Sequence, residues 1–266
     1  MFNGYDFIYD GKSSISENIK ILYTESNPFE FTKSIPDKEI SMIHTNQSSK
    51  WSITGISTPE PLSFQMQIMM YSDDVDLYAN GNPIIKRNQI SRISHWLFDN
   101  TTFKKLQILT DDLRDLYFMA IFTDVEYFEA GGDVCGFRAT ILCDTIGAYE
   151  DKVITKNCTG STRFVLQCQQ DGIYEINPIY IIDMLEDHVT ITVNTEDIIL
   201  QSVSVGSTIT IDTEKLMTKS SEHENLYVGN KFNKGFPTLK WGKNVIVVDG
   251  KCKLTIKYRL IREVGC

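Results

Sequence analysis

The chain has 266 residues, of which 42% are apolar and 23% charged, and its 35 acidic and 26 basic residues give a formal net charge of −9. This size and composition suit one or two globular domains with ordinary cores. The excess of acid would repel a phosphate backbone, so we expect no stable binding to nucleic acid.

The spacing of the cysteines indicates free, mostly buried thiols rather than a metal site. They show no Cys-x-x-Cys spacing and no cluster with the histidines. The first residues lack the basic segment, apolar run and cleavage site of a secretory signal, and no run reaches the roughly 18 apolar residues of a membrane helix. We therefore expect a protein synthesised in a cytoplasm, without a cofactor and without a membrane partner. The cysteines are Cys135, Cys143, Cys158, Cys168, Cys252 and Cys266.

The first clear elements are a strand and a helix. Apolar residues alternate from Leu62 to Tyr71, which predicts a half-buried strand. Residues 73 to 83 are rich in Asp, Asn and Gly and predict a loop. From Arg87 to Asn100 the apolar spacing changes to three and four, which predicts a helix near residues 88–99 with Asn88 as its N-cap. Its apolar stripe is Ile90, Ile93, Trp96 and Leu97.

The rest of the chain predicts short strands separated by turns, which favours β-sandwiches over βαβ units. We place a domain boundary between 148 and 149, giving an N-terminal β domain with one helix (1–148) and an all-β C-terminal domain (149–266). Two strands joined by Asp249-Gly250 predict a β-hairpin near the end of the chain, with one solvated face. Its buried side is predicted to be Leu254, Ile256, Tyr258 and Leu260.

The carboxylates do not form a recognisable catalytic pattern. Asp73, Asp74 and Asp76 are compatible with a calcium loop or a solvated turn, and their spacing favours the turn. A second group, Asp111, Asp112 and Asp115, indicates a charged turn rather than a hydrolase pair, since acid–base work needs carboxylates in unequal environments. No nucleophile elbow or phosphate loop occurs. We predict no enzyme, no catalytic residue and no metal site.

Several aromatic residues fit either cores and subunit contacts or a sugar-binding surface. Tyrosine and tryptophan offer flat apolar faces with polar tips. A carbohydrate-binding adhesion module for a cell wall, with Tyr227 and Trp241 as the sugar contacts, is therefore our alternative functional hypothesis. The full set is Trp51, Tyr227, Phe232, Phe236 and Trp241.

The order and spacing of several short motifs resemble those of distal tail proteins (Dit) of tailed bacteriophages. In the first half they include Phe2-Asn3-Gly4, Pro61-Leu62-Ser63-Phe64, Ile90-x-x-Ile93-x-x-Trp96-Leu97, Phe103-x-x-Leu106 and Tyr117. In the second half they include Gly206-x-x-Ile209-x-Ile211-Asp212-Thr213-Glu214, Phe236-Pro237-x-Leu239, Gly242-x-Asn244 and Ile256-x-Tyr258-Arg259.

This resemblance implies a mainly β protein, with an N-terminal β-sandwich containing a helix and a C-terminal galectin-like β-sandwich. It implies a homohexameric ring in the virion tail, joining the tail tube protein to the tail-associated hub protein at the tip or baseplate, with a central channel for DNA. Tape measure protein, side fibres and receptor-binding proteins are further possible neighbours. The acid and arginine of a galectin sugar site are missing after Trp241-Gly242, where Lys243 and Asn244 follow.

The resemblance also leads us to place the ring contacts in the N-terminal half. An edge strand or loop does not announce its partner in sequence, so these residues are hypotheses. We assign Trp96 and the rest of the helix stripe to the core. The predicted ring contacts are Phe2, Asn3, Tyr5, Trp51, Asp73, Asp74 and Asp76, with the 73–83 loop.

Overall fold

The computed structural model describes residues 4–22, 39–44, 51–57, 61–71, 84–130, 132–170, 175–222 and 225–264. The chain divides into two compact units. The first unit comprises Met1–Tyr149 and Glu263–Cys266, and the second comprises Glu150–Arg262. This division lies one residue after the boundary we placed from sequence, and the last residues of the chain belong with the first unit.

The mainly β fold class with a helix in the first unit is confirmed. The first unit holds one α-helix among its described residues, α1 (Arg87–Phe98). Its strands are β1 (Gly4–Tyr5), β2 (Phe7–Tyr9), β3 (Lys12–Ser13), β4 (Ile19–Leu22), β5 (Glu39–His44), β6 (Trp51–Ser57), β7 (Ser63–Met70), β8 (Lys104–Ile108), β9 (Phe118–Ala130) and β10 (Asp133–Cys143).

The main sheet of the first unit closes on itself through the N-terminal strand. The sheet has the order β1-β4-β7-β10-β9-β8-β2-β3. Only Asp6 separates β1 from β2, and these two strands pair with opposite ends of the ladder, β4 and β8. The N-terminal segment therefore joins the two ends of the sheet around one core, in which Phe7 and Tyr9 are fully buried.

Helix α1 packs its apolar stripe on this core. Ile93 and Leu97 are buried, and Ile90 and Trp96 are partly buried against the same cluster. The predicted N-cap, Asn88, is wrong: the helix begins at Arg87, and Lys86 is an N-cap without a side-chain hydrogen bond. Backbone contacts explain the earlier start, because the Lys86 carbonyl already accepts the first helical hydrogen bonds.

The second unit is a β-sandwich of a five-stranded sheet, β11-β19-β13-β16-β17, and a four-stranded sheet, β12-β18-β14-β15. Side chains from both sheets form one buried cluster between them. Its strands are β11 (Ala148–Thr159, whose first two residues belong to the first unit), β12 (Thr162–Cys168), β13 (Ile179–Met184), β14 (His188–Val193), β15 (Glu196–Gln201), β16 (Thr208–Asp212), β17 (Met217–Ser220), β18 (Gly242–Asp249) and β19 (Lys251–Arg262).

The predicted terminal hairpin is wrong, although its strands and turn are present. The turn at Gly250 carries the chain from β18 in the four-stranded sheet to β19 in the five-stranded sheet, so the two strands are not paired in one sheet. Alternation tells which face of a strand is buried, and it is the same for paired strands and for strands in facing sheets. The predicted buried side of β19 is confirmed: Leu254, Ile256, Tyr258 and Leu260 are all buried.

The cysteines in the described part of the chain are free and buried, as predicted for these five: Cys135, Cys143, Cys158, Cys168 and Cys252. Cys266 lies outside the described residues. Burial raises the pKa of Cys168 to about 11, which makes this thiol a poor nucleophile at neutral pH. Among the described residues, the helices are too short and too polar to cross a membrane.

Candidate functional site

The first unit carries an exposed apolar surface on the hairpin of β5 and β6. In the described part of the chain these strands pair with each other and form a sheet apart from the larger ones. Their antiparallel register runs from Glu39 opposite Ser57 to His44 opposite Trp51. The side chains of Ile40, Met42, Ile43 and Ile53 are each between 51% and 59% exposed.

A β-bulge sets which residues of the hairpin share a face. The register shifts between Ser41 and Met42, so that Thr54 is the extra residue, and its hydroxyl donates to the Ser41 carbonyl at 3.1 Å. Met42 consequently lies opposite Ile53, and Ile40 precedes Met42 by two residues on the same face. The result is a ribbon with three apolar side chains on one side.

Pairing between the two strands is too little to make this ribbon stable by itself. A two-stranded hairpin is marginally stable in water unless it packs against something else. Burying the remaining exposed half of three such side chains would contribute about 2 to 4 kcal/mol. Exposed apolar side chains grouped in this way are typical of interaction surfaces.

The predicted ring contacts fall in different places. Tyr5 lies in β1, partly buried against the first core. Trp51 is the first residue of β6 and its backbone pairs opposite His44, which places it on the exposed hairpin. The remaining predicted contacts lie outside the described residues: Phe2, Asn3, Asp73, Asp74, Asp76 and the rest of the 73–83 loop.

Trp96 anchors α1 to the N-terminal strand, in agreement with its assignment to the core. Its indole stacks on Phe7 with ring centroids 5.7 Å apart and an interplanar angle of 1°. The indole N–H donates to the Tyr9 carbonyl at 3.0 Å. On the outer side, the Lys12 ammonium lies 4.8 Å from the ring centroid, a favourable cation–π geometry.

A buried carboxylate makes a second link between α1 and the N-terminal segment. Glu17 ends a 3-10 turn (Ser14–Glu17), and its side chain is 6% exposed. Lys12 lies 2.7 Å from one carboxylate oxygen and Arg92 lies 3.0 Å from the other. Burial would raise the pKa of Glu17, but the hydrogen bonds from Arg92 and Lys12 outweigh it and hold the pKa below its usual value.

The two predicted sugar contacts lie at separate places on the second unit. Tyr227 is 43% exposed, and its ring meets the edge of Phe232 at 6.1 Å. Trp241 is 58% exposed, and its indole N–H donates to the Gln170 carbonyl at 3.2 Å. Both rings are thus fixed in orientation while a face remains accessible to solvent.

The acidic residues considered from sequence do not assemble into a reaction centre in the described structure. Asp111, Asp112 and Asp115 lie in an exposed turn between β8 and β9. Among the residues that the structure describes, no three Asp, Glu, His or Cys side chains converge on a possible metal position.

Sequence reasoning missed the β5–β6 hairpin as an element, although a signal was present. Ile40 and Met42 alternate with polar residues in β5, and Trp51, Ile53 and Ile56 do not keep a strict period in β6. The bulge at Thr54 breaks the alternation, so the second strand lacks the period-two pattern that would have identified it.

Family models match both parts of the chain. A model described as the phage tail protein N-terminal domain matches residues 2–145, and one described as the phage tail C-terminal domain matches residues 148–258. No curated protein sequence matches the chain.

Two solved structures are similar in fold. One is the Dit protein of phage SPP1, described as a paradigm of the hub adsorption apparatus in phages that infect Gram-positive bacteria. It has a TM-score of 0.67 at 10% identity, over 97% of this chain and 100% of that chain. The other is a chain of the phage P2 baseplate in its activated conformation with Ca, with a TM-score of 0.51 at 11% identity, over 96% of this chain and 98% of that chain.

Proposed function

This chain belongs to the phage tail protein family whose N-terminal and C-terminal domain models it matches, and we propose that it forms a hexameric ring at the tail tip. The ring joins the tail tube to the tail-associated hub protein and leaves a central channel through which DNA passes. The role is architectural: it depends on shape and symmetry rather than on a chemical step.

The observation that carries this proposal is the apolar face of the β5–β6 hairpin. A closed ring repeats one heterologous interface, in which a surface of each copy meets a different surface of the next. A projecting ribbon with Ile40, Met42 and Ile53 on one side suits such an interface, because burial against a neighbour supplies the support that it lacks alone. The neighbour we propose is a second copy of the same chain.

The wider ring contact includes the residues predicted from sequence. Trp51 belongs to the same hairpin, and Tyr5 lies in the short strand that joins the ends of the main sheet. Phe2 and Asn3 precede this strand directly in the chain. Asp73, Asp74 and Asp76 remain proposed contacts from the 73–83 loop.

The family and the fold support the neighbours that we propose along the tail. The SPP1 protein of similar fold is a hub adsorption protein, which supports a position between the tail tube and the hub for this chain. We propose the tape measure protein, side fibres and receptor-binding proteins as further possible neighbours. The virion tail is the proposed location, after synthesis in the host cytoplasm.

Charge supports the proposed channel. A net charge of −9 opposes the retention of DNA, which a channel must release quickly. Acidic side chains lie along the outer half of the β9–β10 ribbon, where Glu126 pairs with Arg138 at 3.6 Å. We propose the face of this ribbon that carries Asp124, Glu126 and Asp133 for the channel lining.

The proposal is tested by the molar mass of the purified protein, measured by light scattering over a concentration series, and by negative-stain images of the main species. We expect a hexamer with a visible central hole. A protein that stays monomeric both alone and when mixed with the purified tail tube and hub proteins would overturn the ring.

A further inference from the structure

One stretch of the second unit carries basic residues and no acidic ones. Between Asn225 and Val248 there is no Asp or Glu, whereas the whole chain has a net charge of −9. The stretch contains two of the exposed aromatic residues, Tyr227 and Trp241. Its basic residues are Lys231, Lys234, Lys240 and Lys243.

The first part of this stretch is a loop held firmly along the outer strand β15. The Asn233 side chain accepts from the Ile199 N–H at 3.0 Å and donates to the Asp197 carbonyl at 2.7 Å. At Gly235 a Cβ atom would lie 2.0 Å from the same Asp197 carbonyl oxygen, so only glycine permits this approach. The loop is therefore ordered before any partner arrives, which lowers the entropic cost of binding.

The two exposed aromatic rings lie at opposite ends of this loop. Tyr227 lies near the end of β15, where the Gln201 side-chain amide donates to the Asn230 carbonyl and the Gln201 backbone N–H donates to the Lys231 carbonyl. Trp241 lies next to the start of β18, at the end of the sandwich where β15 begins, and its indole donates to Gln170, which follows β12. The two rings are therefore separated both along β15 and across the four-stranded sheet.

We propose that this surface is a binding track for an extended, negatively charged polysaccharide. Lysine ammonium groups attract anionic groups along the polymer, and the rigid faces of Tyr227 and Trp241 pack against the apolar faces of sugar rings. The Lys234 ammonium lies 5.9 Å from the Tyr227 ring centroid, so charge and aromatic surface occur together at one end. The track does not depend on the proposed ring.

A neutral sugar fits this surface less well than a charged one. After Trp241-Gly242 the chain has Lys243 rather than the acid and arginine that would hold sugar hydroxyls. Asn244 is fully buried, and its amide is occupied by the Lys240 backbone and by Asn194. Glu196 and Asp197 limit the basic surface on the β15 side, which confines an anionic polymer to the loop.

The test measures binding of the full-length protein to dextran sulfate and to polygalacturonate, with neutral dextran and a single-stranded oligothymidylate as comparisons. We expect both charged polysaccharides to bind and neutral dextran not to bind. The double variant Lys234→Glu/Lys240→Glu should weaken binding by about tenfold or more, because it replaces attraction with repulsion. Tyr227→Ala and Trp241→Ala should each weaken it by about tenfold.

The matched control is Lys219→Glu/Lys257→Glu, which makes the same change of net charge on the five-stranded sheet and should leave binding unchanged. Three results would overturn the track: no preference for the charged polysaccharides over neutral dextran, equal weakening by the control, or equally tight binding of oligothymidylate that Tyr227→Ala leaves unaffected. The molar mass of each variant shows whether the hexamer still forms, so that a loss of polysaccharide binding can be distinguished from a loss of assembly.

Discussion

In the second unit the outer strand β15 is covered by the chain's own loop, whereas in the first unit the β5–β6 hairpin keeps an exposed apolar face. Phe232 bridges to Leu200 of β15, and Asn233 bonds the same strand. Nothing comparable among the described residues covers Ile40, Met42 or Ile53. The second unit thus satisfies this edge within one chain, and the exposed face of the first unit is the reason for proposing that it is covered by a partner.

The largest expected loss of stability comes from replacing Trp96 in the first unit, and it should exceed the loss from replacing Trp241 in the second unit. Trp96→Ala removes a stacked, hydrogen-bonded core anchor and should lower the free energy of unfolding by about 3 kcal/mol. Trp241→Ala removes an exposed ring and should cost about 1 kcal/mol or less. Chemical denaturation gives the totals, and hydrogen exchange of peptides from β2 and β13 assigns them to a unit. A Trp96→Ala protein as stable as the wild type would contradict the assignment of this residue to the core.

Acid should lower the stability of each unit by protonating one carboxylate, Glu17 in the first unit and Glu150 in the second. Burial would raise the pKa of Glu150, but hydrogen bonds from Lys152 and Arg262 hold it below its usual value of 4.5, as Arg92 and Lys12 do for Glu17. A lowered folded-state pKa gives stability that is present above 4.5 and is lost as the pH falls through the folded value.

Single substitutions separate these two contributions. Glu17→Gln should cost the first unit about 1 to 3 kcal/mol at neutral pH and reduce its sensitivity to acid, and Glu150→Gln should do the same in the second unit. The measurement is the denaturation midpoint from pH 6 to pH 3, with hydrogen exchange for each unit. An unchanged acid sensitivity in both variants would mean that other groups control the acid response.

An effect of similar size should follow from loosening the covered edge. Gly235→Ala forces the loop away from the Asp197 carbonyl and should cost the second unit about 1 to 3 kcal/mol. Gly55→Ala is the control on the hairpin, because its Cβ would meet the Ser41 Cβ at an ordinary 3.8 Å. Hydrogen exchange at Ile199 should become faster in Gly235→Ala and remain unchanged in Gly55→Ala. Equal exchange in both variants would show that the loop does not depend on this close approach.

Much of the fold could be predicted from hydrophobic periodicity. The helix stripe around Ile93 and the buried side of β19 follow from spacings that depend on local geometry alone. The placement of β18 and β19 in two facing sheets could not be predicted, because the residues of facing strands and of paired strands alternate in the same way. Closure of the first sheet through Asp6 is likewise a long-range property that no short pattern contains.

The candidate surfaces were less visible in sequence than the fold. The hairpin was missed because the bulge at Thr54 interrupts its period, and exposure of Ile53 is decided by what else the fold leaves uncovered. Tyr227 and Trp241 were identified by residue type. Tyr227 packs on the nearby Phe232, whereas the orientation of Trp241 depends on the carbonyl of Gln170, which is 71 residues away in sequence.

The central claim is that the hairpin of the first unit, and not the second unit, carries self-association. Ile53 and Val153 are equally exposed, at 59% each, and lie in different units. Ile53→Asp should change the stability of the single chain by about 0.5 kcal/mol or less, as expected for an exposed position. The same holds for Val153→Asp, which makes the two variants a matched pair.

The most direct measurement is the molar mass of the wild type, Ile53→Asp and Val153→Asp by light scattering at equal concentrations. We expect a hexamer for the wild type and for Val153→Asp, and a monomer for Ile53→Asp. A hexamer that persists in Ile53→Asp, or one that is lost only in Val153→Asp, would contradict this expectation.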